Sequence, residues 1–300
     1  MERACPKGER EDISMISEKM KPLVNNNSAI RAMFEEGKKL AAVYGAENVY
    51  DFSLGNPNVP APDSVGQAIC DILKEEESTF VHGYMSNAGY EDVRDTIARS
   101  LNRRFGTSFH QNNILMTVGA ASGLNIILKT LLNPGDEVIV FAPYFVEYGS
   151  YVRNYDGNLV VISPNTEDFQ PNLEKLGEKI TPRTKAVIIN TPNNPTGVVY
   201  SAGTLARMAD ILRERQTQLG TDIVLISDEP YRELAYDGVE VPYVTGFYEN
   251  TVICYSYSKS LSLPGERIGY LVIPDALKDS QEVFNAATIA NRVMGAVNAP

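Results

Sequence analysis

A doubly wound α/β fold built on a mostly parallel sheet is predicted by three observations. From residue 113 onward, seven apolar runs rich in Val and Ile recur: NILMTV, EVIVFAP, NLVVIS, KAVIINTP, DIVLISDEP, NTVICYSYSK and IGYLVIP. These runs are continuously apolar rather than alternating, which is the mark of strands buried on both faces. Helical stretches separate most of them, as crossovers between parallel strands require.

Each element has its own justification. Residues 1–19 form a polar tail. NNNSAIRAMFEEGKKLAAVYG reads as a helix that Asn27 or Ser28 caps and Gly45 ends. VYDFSLG, residues 49–55, follows as a short strand-like run. Two further helices are expected near 63–75 and 89–105, with an aromatic loop between them. Within the repeating region, helices fall on ASGLNIILKTLL, on FVEYGSYVRNY, near 171–179 and near 202–216.

Composition narrows the function classes. The chain has 300 residues, 43% of them hydrophobic, which supports a large core. Its formal net charge of -11 disfavours nucleic acid and anionic membrane surfaces. Cys5, Cys70 and Cys254 are too few and too scattered for a disulfide framework or a zinc site. The charged opening MERACPKGEREDIS lacks the apolar core of a secretory signal, and no apolar stretch is long enough to span a bilayer. A reducing, cytoplasmic setting is expected, without metal, nucleic acid or membrane.

In such sheets ligands bind outside the carboxyl ends of the strands. Five of those ends carry chemistry. Gly119-Ala120-Ala121-Ser122 follows the first run, and its backbone N–H groups at a helix start suit a phosphate. Pro143-Tyr144-Phe145 follows the second, and Phe145 offers an aromatic face to a flat ring. Asn194 lies in the turn after the fourth. Asp228 and Tyr231 follow the fifth. Ser256, Ser258 and Lys259 follow the sixth, with Arg267 eight residues beyond the lysine. An ε-amine with a lowered pKa forms a Schiff base with a carbonyl. Serines and a forked guanidinium hold phosphate, and an acid keeps a pyridine nitrogen protonated. Taken singly, the bland readings are a solvated lysine, an ordinary helix start, turn residues at Asn194 and Asp228, and core aromatics. Their coincidence at five strand ends points instead to one site for pyridoxal 5'-phosphate.

The motifs NNPTG (193–197), SDEPY (227–231) and SYSKSLSLPGERIGY (256–270), with TVGAASGL (117–124), APYFVEY (142–148) and GYMSNAGYEDVR (83–94), resemble those of class I/II aminotransferases of fold type I. The resemblance runs from about residue 20 to the end. It implies a cofactor-binding large domain over 61–300 with a mostly parallel seven-stranded sheet and helices on both faces, and an N-terminal segment of the small domain and arm over 20–60. It implies that Lys259 carries the Schiff base and shuttles the proton, and that Asp228 pairs with the pyridinium. Asn194 and Tyr231 bond the phenolic oxygen. Ser256, Ser258, Arg267 and the N–H groups of Ala120 and Ala121 hold the phosphate, and Phe145 stacks on the ring. Tyr84 reaches the cofactor of a neighbouring subunit, making a homodimer, and Gly55 and Asn194 lie at the substrate.

Two departures stand out. Gly-Ala-Ala lacks the hydroxyl or second glycine that many relatives place in the phosphate turn. The chain stops at NAP, before the C-terminal small domain with its α-carboxylate arginine, so a truncated portion of a longer enzyme is expected. Arg292, in ATIANRVMG, stands near where some aspartate-specific relatives place an arginine for the distal carboxylate. The expected activity is therefore ping-pong transamination between an L-amino acid such as aspartate and a 2-oxo acid such as 2-oxoglutarate, with aromatic amino acids or alanine as other donors. A carbon–sulfur β-lyase on the same fold is the nearest rival. A non-catalytic ligand-binding domain lacks the expected basic arm, and a nicotinamide dehydrogenase lacks G-x-G-x-x-G after its first strand.

Overall fold

The computed structural model describes residues 15–25, 29–52 and 55–297. The chain divides into two compact units, Met1–Asn56 and Pro57–Pro300. The first holds helices α1 (Lys21–Asn25) and α2 (Ala29–Tyr44). Helix α2 ends where the Gly45 N–H donates to the Ala41 carbonyl, at 3.0 Å. The capping positions expected at Asn27 and Ser28 lie outside the described residues. The strand expected over 49–55 does not form over 49–52. Among the described residues, 49–52 join no strand of the sheet, and Tyr50 and Phe52 stand exposed, so this run stays irregular.

In the second unit come α3 (Asp63–Glu75), α4 (Ser78–Val81) and α5 (Glu91–Phe105), then β1 (Ile114–Thr117), α6 (Ala120–Leu131), β2 (Glu137–Phe141), α7 (Tyr148–Asn154), β3 (Asn158–Ile162), α8 (Leu173–Lys179), β4 (Thr184–Asn190), α9 (Ala202–Leu219), β5 (Val224–Asp228), β6 (Thr251–Ser256), α10 (Tyr257–Ser260), β7 (Gly269–Val272) and α11 (Ser280–Val293). The helices obey local rules. Ser201 caps α9 by accepting from the Thr204 N–H at 3.0 Å, and Gly220 ends it in the left-handed region at φ 64°.

The seven strands form one sheet in the order β1-β7-β6-β5-β4-β2-β3. Only β7 runs against its neighbours β1 and β6. Alternate strand residues enter separate cores, as a period of two dictates. Ile139, Val187, Leu225 and Ile253 join Leu101, Leu205 and Met208 on the side of α5 and α9. Val140, Ile188, Ile226 and Val252 join Leu124, Ile127 and Phe284 on the side of α6 and α11. Helices thus cover both faces, and this explains why the runs are apolar without alternation. The chain lays β3 on one side of β2 and then β4 on the other. That reversal opens a crevice at the carboxyl ends of β2 and β4.

Candidate active site

Strand register gathers the site. Asn190, Asp228 and Cys254 pair across β4, β5 and β6 in one row. Thr117, Gly269 and Ser256 pair across β1, β7 and β6 in a second row. The first row ends in the acid. The second ends in small residues and hydroxyls.

The second row builds an anion cradle. Gly119 begins α6 with φ 83° and ψ 174°, a conformation that suits only glycine. A Cβ there would stand 2.9 Å from Nη2 of Arg267. The Arg267 guanidinium therefore lies directly over the helix start, its Nη1 donating to the Pro264 carbonyl at 2.9 Å. The first helical N–H bond of α6 runs from Gly123 to the Gly119 carbonyl at 3.1 Å, so Ala120 and Ala121 point their N–H groups out of the helix end. Gly269 packs against Gly119, where an added Cβ would meet the Gly119 Cα at 3.0 Å. Ser256 and Ser258 are buried and share a hydrogen bond of 2.6 Å between hydroxyls. Ser122 Oγ, in the first turn of α6, is buried without a partner. Guanidinium, helix N-terminus and hydroxyls converging on a glycine-lined gap are the donor set that a phosphate takes.

The first row carries the acid. Asp228 is buried at 5% exposure. Its Oδ2 accepts a 2.6 Å hydrogen bond from the Tyr148 hydroxyl, whereas Oδ1 has no partner. Burial pushes its pKa up to about 7, with Glu229 adding to the rise and the Tyr148 bond opposing it. An orphaned carboxylate oxygen in a dry site fits a cationic N–H donor. Asn190 fixes the surroundings. Its Nδ2 donates to the Asp228 carbonyl at 2.8 Å, and its Oδ1 accepts the Asn194 N–H at 2.6 Å. Asn194 Nδ2 in turn donates to the Tyr231 hydroxyl oxygen at 3.1 Å.

Lys259 sits half-buried in α10, whose start Ser256 caps. Burial, then the Arg267 charge, holds its amine below the usual lysine range. A larger fraction of neutral amine follows. Phe145 lies half-buried with its ring edge-on to Tyr148, centroids 5.6 Å apart. The residues thus fit pyridoxal phosphate, with a cradle for its phosphate, an unpaired acid for its ring nitrogen and a softened amine for its aldehyde.

Two further expected residues, Tyr84 and Arg292, meet each other. Tyr84 is 99% exposed, and the Arg292 guanidinium of α11 sits 5.8 Å from its ring centroid. Among the described residues, neither has a hydrogen bond or ion pair to the cluster above. Gly55 belongs to the N-terminal unit and is exposed. Sequence reasoning missed Tyr148 and Asn190. Tyr148 stands three residues after Phe145 within APYFVEY, and that spacing, which turns a second side chain toward the same site, was the available signal.

Similarity to known proteins agrees with this geometry. The family described as "Aminotransferase class I and II" matches residues 47–299. A probable aspartate/prephenate aminotransferase of Aquifex aeolicus is 34% identical over 254 residues, 81% of this chain. The chain spans 62% of that relative's length. An aminotransferase crystal structure from Eubacterium rectale superposes with a TM-score of 0.92 at 47% identity, covering 96% of this chain and 72% of that one. Aspartate aminotransferase of Thermus thermophilus with maleate superposes at 0.80 with 29% identity, covering 96% of this chain and 70% of that one.

Proposed function

This chain belongs to the class I and II aminotransferases, and on that premise we propose that it acts in pyridoxal-phosphate-dependent transamination between an L-amino acid and a 2-oxo acid. The observation that carries the reading is the buried, unpartnered Oδ1 of Asp228, at the end of the sheet that also carries the anion cradle. Ala120, Ala121, Ser256, Ser258 and Arg267 are the residues that would hold the phosphate. Asn194 and Tyr231 would hold the phenolic oxygen, and Phe145 would cover the ring. Asp228 would pair with the ring nitrogen. Bound there, the cofactor supplies an electron sink for the α-carbon.

The chain's own residues do the rest. Lys259 holds the cofactor through its amine, yields it to the incoming amino group, and then carries the proton off the α-carbon as a base. Its depressed pKa suits that second task, because a neutral amine accepts protons near neutral pH. Asp228 stays anionic beside the ring nitrogen, where the opposite charge draws its pKa back down. A ping-pong cycle returns the amino group to a second 2-oxo acid.

For the substrate we infer a dicarboxylate pair such as aspartate with 2-oxoglutarate. Arg292 beside Tyr84 offers a cation for a distal carboxylate, and the Thermus thermophilus relative's maleate is itself a dicarboxylate. Asn194 is assigned to the rest of the substrate. Tyr84, exposed on its own chain, fits a homodimer in which it reaches the neighbouring subunit. Among the described residues no helix is long and apolar enough to cross a membrane, and a cytoplasmic setting accords with the inferred metabolism. Lys259→Ala tests the reading. Transamination of L-aspartate is expected to vanish, together with cofactor that borohydride fixes to the chain. Near-normal turnover in that variant would sink the proposal.

A further inference from the structure

We propose that Tyr148 is a positioning residue: its hydroxyl tethers one oxygen of Asp228 and reserves the other, Oδ1, for the ring nitrogen of a phosphorylated pyridine. The role rests on the cofactor reading above and extends it to a residue outside the expected donor set.

The two carboxylate oxygens of Asp228 are equivalent in chemistry and inequivalent in place. Oδ2 is 2.6 Å from the Tyr148 hydroxyl, and Oδ1 is buried without a partner. Rotation about the last side-chain torsion would exchange them. The tether stops that exchange. It costs little to maintain, because Tyr148 is itself held at 1% exposure. Its N–H donates to the Phe145 carbonyl at 3.1 Å, and its ring lies edge-on to Phe145 and parallel to Tyr144. One turn, residues 144–148, therefore presents both the aromatic assigned to the ring's face and the donor that aims the acid at the ring's edge.

The tether has a second effect. A carboxylate in a dry site needs a hydrogen bond to remain ionised, and the Tyr148 bond is the contribution that opposes burial at Asp228. Without it the acid stays protonated to higher pH. A neutral carboxyl cannot ion-pair with a pyridinium. The other titratable groups facing Asp228 do not mask this. Glu229 is engaged by Arg232 and Ser227 whether or not Tyr148 keeps its hydroxyl. Cys254, Tyr231 and Tyr151 are all pushed up, chiefly by burial, Tyr151 to about 12, and stay neutral across the working range.

Tyr148→Phe keeps the ring and removes the donor. Two probes separate its effects. Pyridoxine 5'-phosphate has the pyridine nitrogen and the phosphate but no aldehyde, so Lys259 does not enter. Inorganic phosphate reports the cradle alone. The variant is expected to bind pyridoxine 5'-phosphate roughly ten- to a hundredfold more weakly at pH 7.5, with inorganic phosphate affinity unchanged. Carbon-13 NMR of the Asp228 carboxyl in the unliganded chain is expected to show its midpoint moving up by about one unit or more. An unmoved midpoint overturns the assignment to Tyr148. Equal losses for both probes overturn it as well, because they would mark a collapsed crevice. A wild-type chain that binds inorganic phosphate but not pyridoxine 5'-phosphate would instead overturn the cofactor reading, and this role with it.

Discussion

Asp228 sets the terms at the scale of single residues. Its folded-state pKa of about 7 lies above the unfolded carboxyl value near 4, so the folded chain binds a proton there that the unfolded chain releases. Stability from this group is therefore full below about pH 4, declines as pH rises, and is lost above about pH 7. Asp228→Asn is expected to flatten that part of the stability curve, which urea unfolding at several pH values would read. It is also expected to weaken pyridoxine 5'-phosphate. A slope unchanged from wild type would show that Asp228 ionises normally. A second residue-scale test concerns the buried ion pair below the site. Arg232 donates to Glu229 Oε2 at 2.6 Å with side-chain exposures of 4% and 1%, and Phe105 and Tyr243 flank its guanidinium. Arg232→Ala leaves the buried Glu229 without its cation, with only the Ser227 hydroxyl to serve it, at a cost of about 3–5 kcal/mol in unfolding free energy. A loss under about 1 kcal/mol would mean that water reaches Glu229.

Elements decide where those residues stand. Helix α6 begins at Gly119 because only glycine accepts φ 83° there and leaves room for Arg267. Gly119→Ala is expected to cost about 1–2 kcal/mol of stability through backbone strain. The new methyl also pushes Arg267 off the helix start, so inorganic phosphate affinity is expected to fall roughly tenfold. Calorimetry on the variant would read both, and unaltered phosphate affinity would remove Arg267 from the cradle. What was legible in the sequence also divides by element. Most strands were readable because burial on both faces leaves continuous Val and Ile runs, and the edge strand β3 was readable from its Val content although Asn158 and Val161 are exposed. The strand-like run misled over 49–52, because apolar content there marks neither burial nor pairing: Tyr50 and Phe52 are exposed. Lys259, Asp228 and Arg267 were readable from spaced motifs. Tyr148, at the start of α7, was missed despite its spacing from Phe145, since a tyrosine there reads as packing until its hydroxyl is seen 2.6 Å from a carboxylate. The row Asn190–Asp228–Cys254 depends on register across three strands, which no local pattern encodes.

At the scale of the molecule, the strand order was the least legible feature. Placing β7 antiparallel between β1 and β6 brings the cradle, built from both ends of the repeating region, onto one row. That row joins residue 117 to residues 256 and 269, across more than a hundred residues of chain. The same topology puts the acid of β5 one strand from the lysine that follows β6. Phosphate cradle, acid and amine therefore share one end of one sheet. The central claim is that they serve a single cofactor.

The most direct measurement is a visible absorption titration of the protein with pyridoxal 5'-phosphate, followed by L-aspartate alone and then 2-oxoglutarate. The account predicts a saturable band absent from Lys259→Ala, bleached by L-aspartate and restored by 2-oxoglutarate. A wild-type band no different from that of Lys259→Ala would contradict it.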